Sequence, residues 1–296
     1  MSLTSTLQFI IGHPLNARSK AGALGRYVGW QVRSRVFPGP RVVPFVNASR
    51  LTIRRGRPAS TGNLYTRLHE FAEMGFVLHA LRRGDLFVDV GANIGAYSIL
   101  AASLQGTRCI AFEPSSDTFP LLVENVQLND YSSRVVTQRV ALGRERGEIL
   151  LTSSLDTVNH VTSTEDGSLS RESVPVMTLD AALEGEGATL IKIDVEGYET
   201  AVMEGATQTL RNERLLAVVL EMNGSGARYG FDEGDLDAML VRSGFESSSY
   251  DPFTRRLMHV PAEPPPGNRI YVRNREALRD RLRTAPSFTL PGGLSI

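Results

Sequence analysis

Two kinds of apolar pattern follow one another along the chain. Up to about Val36, apolar residues at Ala21, Leu24, Tyr27, Val28 and Val32 fall at helical spacing, with Arg26, Arg33 and Arg35 between them. Phe37-Pro38-Gly39-Pro40 breaks that helix. Arg41 to Phe45 and Arg50 to Ile53 read as short strands, and a Pro/Gly link from Arg57 to Gly62 leads to a helical segment from Leu64 to Leu81. From Leu86 the chain alternates. Strands are expected at Leu86 to Val90, Cys109 to Phe112, Val135 to Leu142, Leu190 to Asp194 and Ala217 to Glu221. Helices are expected at Ala96 to Leu104, Phe119 to Leu128, Leu179 to Leu183, Glu199 to Leu210 and Leu236 to Ser243. Val174 to Thr178 reads as a further strand, and Thr152 to Ser173 as a polar loop before it. Arg256 to Val260 and Arg269 to Val272 read as a closing antiparallel pair.

Strand–helix alternation with near-continuous apolar strands predicts an α/β fold, a parallel sheet covered on both faces. Ligands in such sheets bind beyond the carboxyl ends of the strands, where strand order reverses. The chemically unusual residues of this chain fall at those ends.

Composition narrows the class. The 296 residues are 42% hydrophobic and 22% charged, which excludes disorder, collagen and a disulfide scaffold. The 32 basic and 32 acidic side chains cancel, but unevenly: no acid precedes Glu70, so residues 1–69 carry +11 and the rest −11. Cys109 is the single cysteine, so no intrachain disulfide and no Cys/His zinc cluster can form. No apolar run approaches the roughly 18 residues of a membrane helix. Leu7 to Ile11 is too short for a signal sequence. A cytoplasmic protein is expected, with no nucleic-acid partner.

The first strand of the alternating part enters Asp89-Val90-Gly91-Ala92-Asn93-Ile94-Gly95. Gly91 permits a tight turn and close approach of a ligand, and Gly95 opens a helix whose free N–H groups suit an anion. Glu113 ends the second strand and can accept from two ribose hydroxyls; taken alone, a solvated strand-end acid explains it equally. Together these residues suit a nucleoside. Asn93 stands where a dinucleotide fingerprint has its second glycine, and Asp89 would repel a pyrophosphate. An acid there favours a cationic cofactor, S-adenosylmethionine (SAM). The fourth strand ends in Lys192-Ile193-Asp194-Val195-Glu196-Gly197-Tyr198-Glu199. Lys192 and Asp194 share a face at period two, so a salt bridge between them, with Glu199 as a helix-start acid, competes with a catalytic role.

Val88 to Gly95, Ala111 to Pro114, Ala141 to Gly143, Thr178 to Asp180 and Ile191 to Glu199 together resemble the FkbM family of SAM-dependent methyltransferases. Asn125, Asn129 and Glu204-Gly205-Ala206 add to the resemblance, which covers roughly residues 63–275. It implies the Rossmann-like class I methyltransferase fold, a seven-stranded, mostly parallel sheet with an antiparallel last strand. It also implies methylation of hydroxyl oxygens on sugars or polyketides. Asp89, Gly91, Asn93, Gly95, Glu113, Ala141 and Leu142 would line the SAM pocket, with Phe112 and Pro114 beside the ribose. From its place at the start of the helix that enters the first strand, Glu70 could reach the methionine end of the cofactor, although an exposed helix acid is the plainer reading.

Methyl transfer from a sulfonium rests on alignment, with a base for a neutral hydroxyl. Asp194, Lys192 and Glu196 are the candidates, and His160, in the polar loop, is a fourth. Mg²⁺ is weighed as a lesser option, with Asp194, Glu221 and Asn223 as its ligands. Trp30 and Tyr27 read as packing. A nicotinamide oxidoreductase and a non-catalytic binding protein are the competing functions. Domain limits are expected at 1–62 for a basic extension, 63–285 for the catalytic domain and 286–296 for a tail. The basic extension either packs on an acidic surface, its own or that of a homodimer partner, or attracts an anionic acceptor or a membrane surface. The acceptor is expected to be a small molecule or glycan.

Overall fold

A computed structural model describes residues 3–152, 160–162, 171–260 and 266–296. The N-terminal part contains α1 (Leu3–Gly12), α2 (Lys20–Val36), the hairpin β1 (Arg41–Pro44) and β2 (Arg50–Ile53), and α3 (Pro58–Thr66). The expected single helix from Leu64 to Leu81 is two. Arg67 takes φ +75°, which ends α3, and α4 (Phe71–Ala80) starts afresh with Glu70 as its N-cap residue. That break turns His69 and Glu70 towards the sheet.

The alternating part runs β3 (Leu86–Val90), α5 (Ala96–Ala102), β4 (Arg108–Phe112), α6 (Phe119–Leu128), β5 (Val135–Gln138), β6 (Ala141–Leu142), β7 (Gly147–Thr152), β8 (Val161–Thr162) and β9 (Arg171–Met177). It continues as α7 (Leu179–Leu183), β10 (Leu190–Ile193), α8 (Glu199–Glu204), α9 (Thr207–Arg211), β11 (Ala217–Met222) and α10 (Glu233–Arg242). The chain ends with β12 (Glu246–Asp251), β13 (Arg256–His259), β14 (Gly267–Val272), α11 (Arg275–Thr284) and the hairpin β15 (Thr289–Leu290) and β16 (Leu294–Ser295).

The main sheet has the order β13-β12-β14-β11-β10-β3-β4-β5. The five strands from β11 to β5 are parallel, and β14 lies antiparallel between β11 and β12. The sheet therefore has eight strands among the described residues, not the expected seven. β12 was not foreseen, because Glu246 to Asp251 is mostly serine and acid. It also separates the two strands expected to pair: β13 pairs with β12, and β14 with β11 and β12.

Two further expectations fail locally. The third strand does not run through to Leu142; it stops at Gln138, and Ala141-Leu142 joins a second sheet of order β6-β9-β7-β8. Glu199 to Leu210 splits at Gly205, where an added Cβ would lie 2.1 Å from the Gly143 carbonyl. The expected strand from Val174 begins earlier, at Arg171 inside the expected loop, and pairs over six positions with β7, for which no strand was expected, from Gly147↔Val176 to Thr152↔Arg171. Val161–Thr162 of that loop form β8, which pairs with β7, and residues 153–159 and 163–170 lie outside the described residues.

Period-two alternation divides the core. Leu86, Val88, Val90, Ile191, Ile193, Val218 and Leu220 pack with α7 to α10. Phe87, Cys109, Ala111, Leu190, Ala217 and Val219 pack with α4, α5, α6 and α11. The second core also takes in Ile10, Trp30, Phe45, Leu51 and Ile53 from the basic extension, and Phe288, Leu290 and Ile296 from the C-terminal segment. Arg54 pairs with Glu124 on α6, and Asn125 Oδ1 accepts from Thr52 N. Among the described residues, the segment 3–62 contributes side chains to the core of the larger unit.

Candidate functional site

Strand order reverses beside β3: β4 and β5 follow on one side, β10 and β11 on the other. A pocket opens beyond the carboxyl ends of these strands. Register explains its floor. Lys192 on β10 lies opposite Asp89 on β3, and Glu221 continues the Ala217–Val219 face of β11. All point to the side covered by α4 and α5, so side chains from three strands converge there.

The glycine loop is held by β4. Gly91 N and Ala92 N both donate to the Phe112 carbonyl. Asn93 takes φ +51° and donates from its backbone N to Glu113 Oε2 at 2.8 Å. Glu113 Oε1 accepts from Ser115 N at 3.0 Å. Glu113 is thus buried and shapes the loop; it is no solvated strand-end acid. Burial pushes its carboxyl up to about 7 against the pull of those two N–H groups. Asp89 is buried too, accepts from Ser98 Oγ at 2.6 Å, and is raised by burial to about 6. Gly95 lies outside the pocket: φ +85° and Leu122 Cδ1 2.6 Å from an added Cβ make it the joint between α5 and α6.

Phe112, Pro114, Ala141 and Leu142 form the apolar wall, joined by Ile149, Leu151 and Val161 from β7 and β8. Nothing in the hydrophobic pattern singles out that second group: Ile149 and Leu151 precede the segment expected as a loop, and Val161 lies within it. Glu70 lines the opposite side and accepts from the Tyr97 hydroxyl.

Lys192 is the charge centre. Its Nζ donates to Asp194 Oδ2 at 2.7 Å and lies 4.9 Å from the Tyr97 ring centroid. Burial opposes its charge, but Asp194, Glu70 and Asp89 outweigh burial and hold it above the usual lysine range. It stays an ammonium at neutral pH and has no lone pair with which to accept a proton. Burial alone would raise Asp194; the Lys192 ammonium holds it below the usual carboxylate range.

Asp194, Glu196 and Glu221 bring carboxylate oxygens within 4.8 Å of one another. Glu196 takes φ +55°, and the following Gly197, φ +101°, packs on the Ser225 carbonyl carbon and oxygen, both 2.6 Å from an added Cβ. Burial, then Asp194 and Glu199, push Glu196 up to about 7. Burial, then Asp194 and Glu196, push Glu221 up to about 9. Glu199 is a turn-holder: Val195 N and Gly197 N donate to its Oε1 at 2.9 and 3.2 Å.

The oxygen-only trio has the donor chemistry of a hard divalent cation. Asn223, expected as a ligand, is exposed and accepts from Ser225 N in a turn, so Glu196 takes its place in the cluster. Yet the charge is met from within. Lys192 already occupies Asp194, and Glu221 retains a proton at neutral pH. The residues suit that internal balance better than a metal.

His160 does not line the pocket. Its backbone N donates to Thr152 Oγ1 at 2.9 Å, and its neighbour Val161 faces in. His69 lines the pocket instead. Its Nδ1 is buried with no hydrogen-bond partner, against Gly62. Burial lowers it, against Glu70 and Asp194, so the imidazole is neutral at pH 7. At the rim, Tyr198 lines the pocket and packs edge-on to Tyr229, with ring centroids 5.3 Å apart, and Phe231 completes the group.

Known proteins bear on this geometry. A family model described as "Methyltransferase FkbM domain" matches residues 89–247. The hexuronic acid methyltransferase AglP of Haloferax volcanii is 31% identical over 144 residues, 48% of this chain and 58% of that protein. The match thus spans somewhat over half of that relative's length. The crystal structure of methyltransferase FkbM from Methylobacillus flagellatus aligns at 16% identity and TM-score 0.45, covering 71% of this chain and 52% of that one. A TehB-like SAM-dependent methyltransferase from Corynebacterium glutamicum aligns at 11% identity and TM-score 0.39, covering 86% and 99%.

Proposed function

The chain belongs to the FkbM methyltransferase family, and from that premise we propose that it transfers a methyl group from SAM to a hydroxyl oxygen of a sugar. The observation that carries the reading is the pocket floor, where Asp89, Glu70, Asp194 and Glu113 meet around the Gly91 loop. A carboxylate-rich, buried floor suits a cationic cofactor and repels a pyrophosphate, which disfavours the nicotinamide reading. SAM, when bound, supplies an activated methyl group on sulfonium.

The residues divide the remaining work. Glu113 and Asp89 are the acceptors for hydroxyl and ammonium groups. Phe112, Pro114, Ala141 and Leu142 offer the apolar wall for a ring. Lys192 keeps Asp194 ionised and oriented. Glu196 is the proton acceptor for the sugar hydroxyl, because its pKa of about 7 matches a base working at neutral pH. His69 stands by on the opposite side as a neutral imidazole. Its environment makes it a stronger candidate than His160.

Tyr198, Tyr229 and Phe231 present flat apolar surfaces of the kind on which a sugar ring stacks. The relative from Haloferax volcanii, named for a hexuronic acid, supports a sugar acceptor. A cytoplasmic setting is proposed on the single free and buried Cys109.

Calorimetric titration with SAM, followed by a methyl-transfer screen over uronic-acid and neutral sugar glycosides, tests the reading. SAM binding in the micromolar range and transfer to at least one sugar are expected. Absence of SAM binding at about 1 mM sinks the reading.

A further inference from the structure

The outer face of α2 is apolar and uncovered. Its inner face buries Ala23, Trp30 and Ser34 in the core. Its outer face carries Val28, Val32 and Val36, spaced i, i+4, i+8, and the ridge continues into Phe37; these are 55%, 57%, 61% and 65% exposed. An added Cβ at Gly25 or Gly29 would meet nothing within 4 Å, so the space above the ridge is open. The pattern is regional. Eleven large apolar side chains are exposed among the described residues, and seven of them precede residue 43.

The same region carries the positive charge. Arg18, Lys20, Arg33, Arg35 and Arg41 are exposed, and residues 1–69 contain no acid. Arg33 and Arg35 flank the Val32–Val36 ridge on a helix of 3.6 residues per turn. Contiguous apolar surface rimmed by cations marks a docking face.

Charge selects the occupant. A second copy docked face to face would set the same five cations against themselves with no acid between them. An anionic bilayer offers an apolar layer for the valines and phosphates at the height of the arginines. No helix among the described residues is long and apolar enough to cross a membrane, so the contact is peripheral.

We propose that the outer face of α2, with the Val28–Val32–Val36–Phe37 ridge and its arginine rim, docks the protein on an anionic lipid surface. The inner side of α2 contacts α3, where Arg26 donates to the Tyr65 carbonyl at 2.7 Å; α3 also carries Asn63, which lines the pocket, and leads on to His69.

Flotation of the full chain with vesicles tests this, using phosphatidylglycerol/phosphatidylcholine mixtures against phosphatidylcholine alone at about 50 mM and about 500 mM salt. Binding to anionic vesicles is expected, weakened at least about tenfold by high salt or by neutral lipid. Val32→Glu with Val36→Glu, and separately Arg33→Gln with Arg35→Gln, each lower anionic binding by about tenfold or more. Both leave the melting temperature and SAM affinity unchanged, since these side chains touch neither core nor pocket. The proposal is overturned by wild-type protein that ignores anionic vesicles or prefers neutral ones, or by variants that bind as wild type does. It is equally overturned if the valine variant converts a dimer to a monomer while vesicle binding is unaltered, which would give the face to a second copy.

Discussion

The carbonyl oxygen of Asp194 lies 1.8 Å from where a Cβ on Gly91 would stand, and Gly91 itself has φ +77°. The glycine loop after β3 and the turn after β10 therefore touch through bare backbone. That contact sets the distance between the cofactor side of the pocket and the acidic cluster.

Gly91→Ala is expected to fail twice over. The left-handed backbone penalises any L side chain by about 1–2 kcal/mol, and the methyl must also displace the Asp194 peptide. A stability loss of at least about 2 kcal/mol is expected, with SAM affinity reduced at least about tenfold. Differential scanning fluorimetry and calorimetry read the two effects. An alanine variant that melts and binds as wild type does would refute the contact.

Glu196→Gln removes the proposed proton acceptor and keeps the shape. Turnover is expected to drop by about 10²–10⁴-fold, while SAM affinity stays within about twofold. The pH profile is more telling. Glu196 accepts a proton only when ionised, so wild-type kcat/KM for the sugar, measured at saturating SAM, rises with pH through about 7. The Gln variant loses that limb. An unchanged limb would move the base elsewhere, with His69 next to examine.

Much of this was legible beforehand, for identifiable reasons. Long apolar strands and helices carry their own signal, which is why β3, β4, β10, β11 and α6 stand where the hydrophobic pattern put them. The Asp89–Gly91–Glu113 set was legible because βα turns recur at fixed offsets from strand ends. What was hidden depended on partners. β12 owes its place to pairing with β13 and β14, since its serines carry no strand pattern. β7 is defined by its long ladder with β9. His69 reaches the pocket only because Arg67 ends α3 with a positive φ, an interruption that the helical spacing of Leu64 to Leu81 conceals. Lys192 read either as a base or as the salt-bridge partner of Asp194; the contact at 2.7 Å favours the second, and the added carboxylates of Glu70 and Asp89 around it were not visible in the spacing.

The acidic cluster is balanced by Lys192 and a retained proton, so metal should be dispensable. Exhaustive treatment with a chelator is expected to leave turnover within about twofold. Added Mg²⁺ is expected to leave the melting temperature unchanged, because a ligand that binds the native state would raise it. A chelator-sensitive enzyme restored by Mg²⁺ would reassign Asp194, Glu196 and Glu221 as its ligands.

Cofactor affinity should itself depend on pH. Asp89 and Glu113 are pushed up by burial to about 6 and about 7, and both must be ionised to serve a cation and hydroxyls. SAM binding is expected to tighten as pH rises from about 5.5 to about 7.5 and to release protons, seen as a buffer-dependent heat. Glu113→Gln is expected to flatten the pH dependence and weaken binding about tenfold or more. A wild-type affinity indifferent to pH would contradict the assignment.

Glu221 supplies a stability test independent of turnover. Its carboxyl, ordinarily near 4.5, is raised in the fold to about 9 by burial and by Asp194 and Glu196. The native state therefore holds this proton more tightly than the unfolded chain does. The resulting stabilisation is complete below about 4.5 and is lost progressively as pH rises towards about 9. Glutamine mimics the protonated acid and has no proton to lose. Glu221→Gln should then melt with wild type at about pH 5 and above it at pH 8, by about 2–4 °C once partial solvent exposure is allowed for. Paired melting curves at the two pH values decide the matter. A gap that is constant with pH, or that narrows at pH 8, would mean that Glu221 ionises freely and that the cluster keeps no proton of its own.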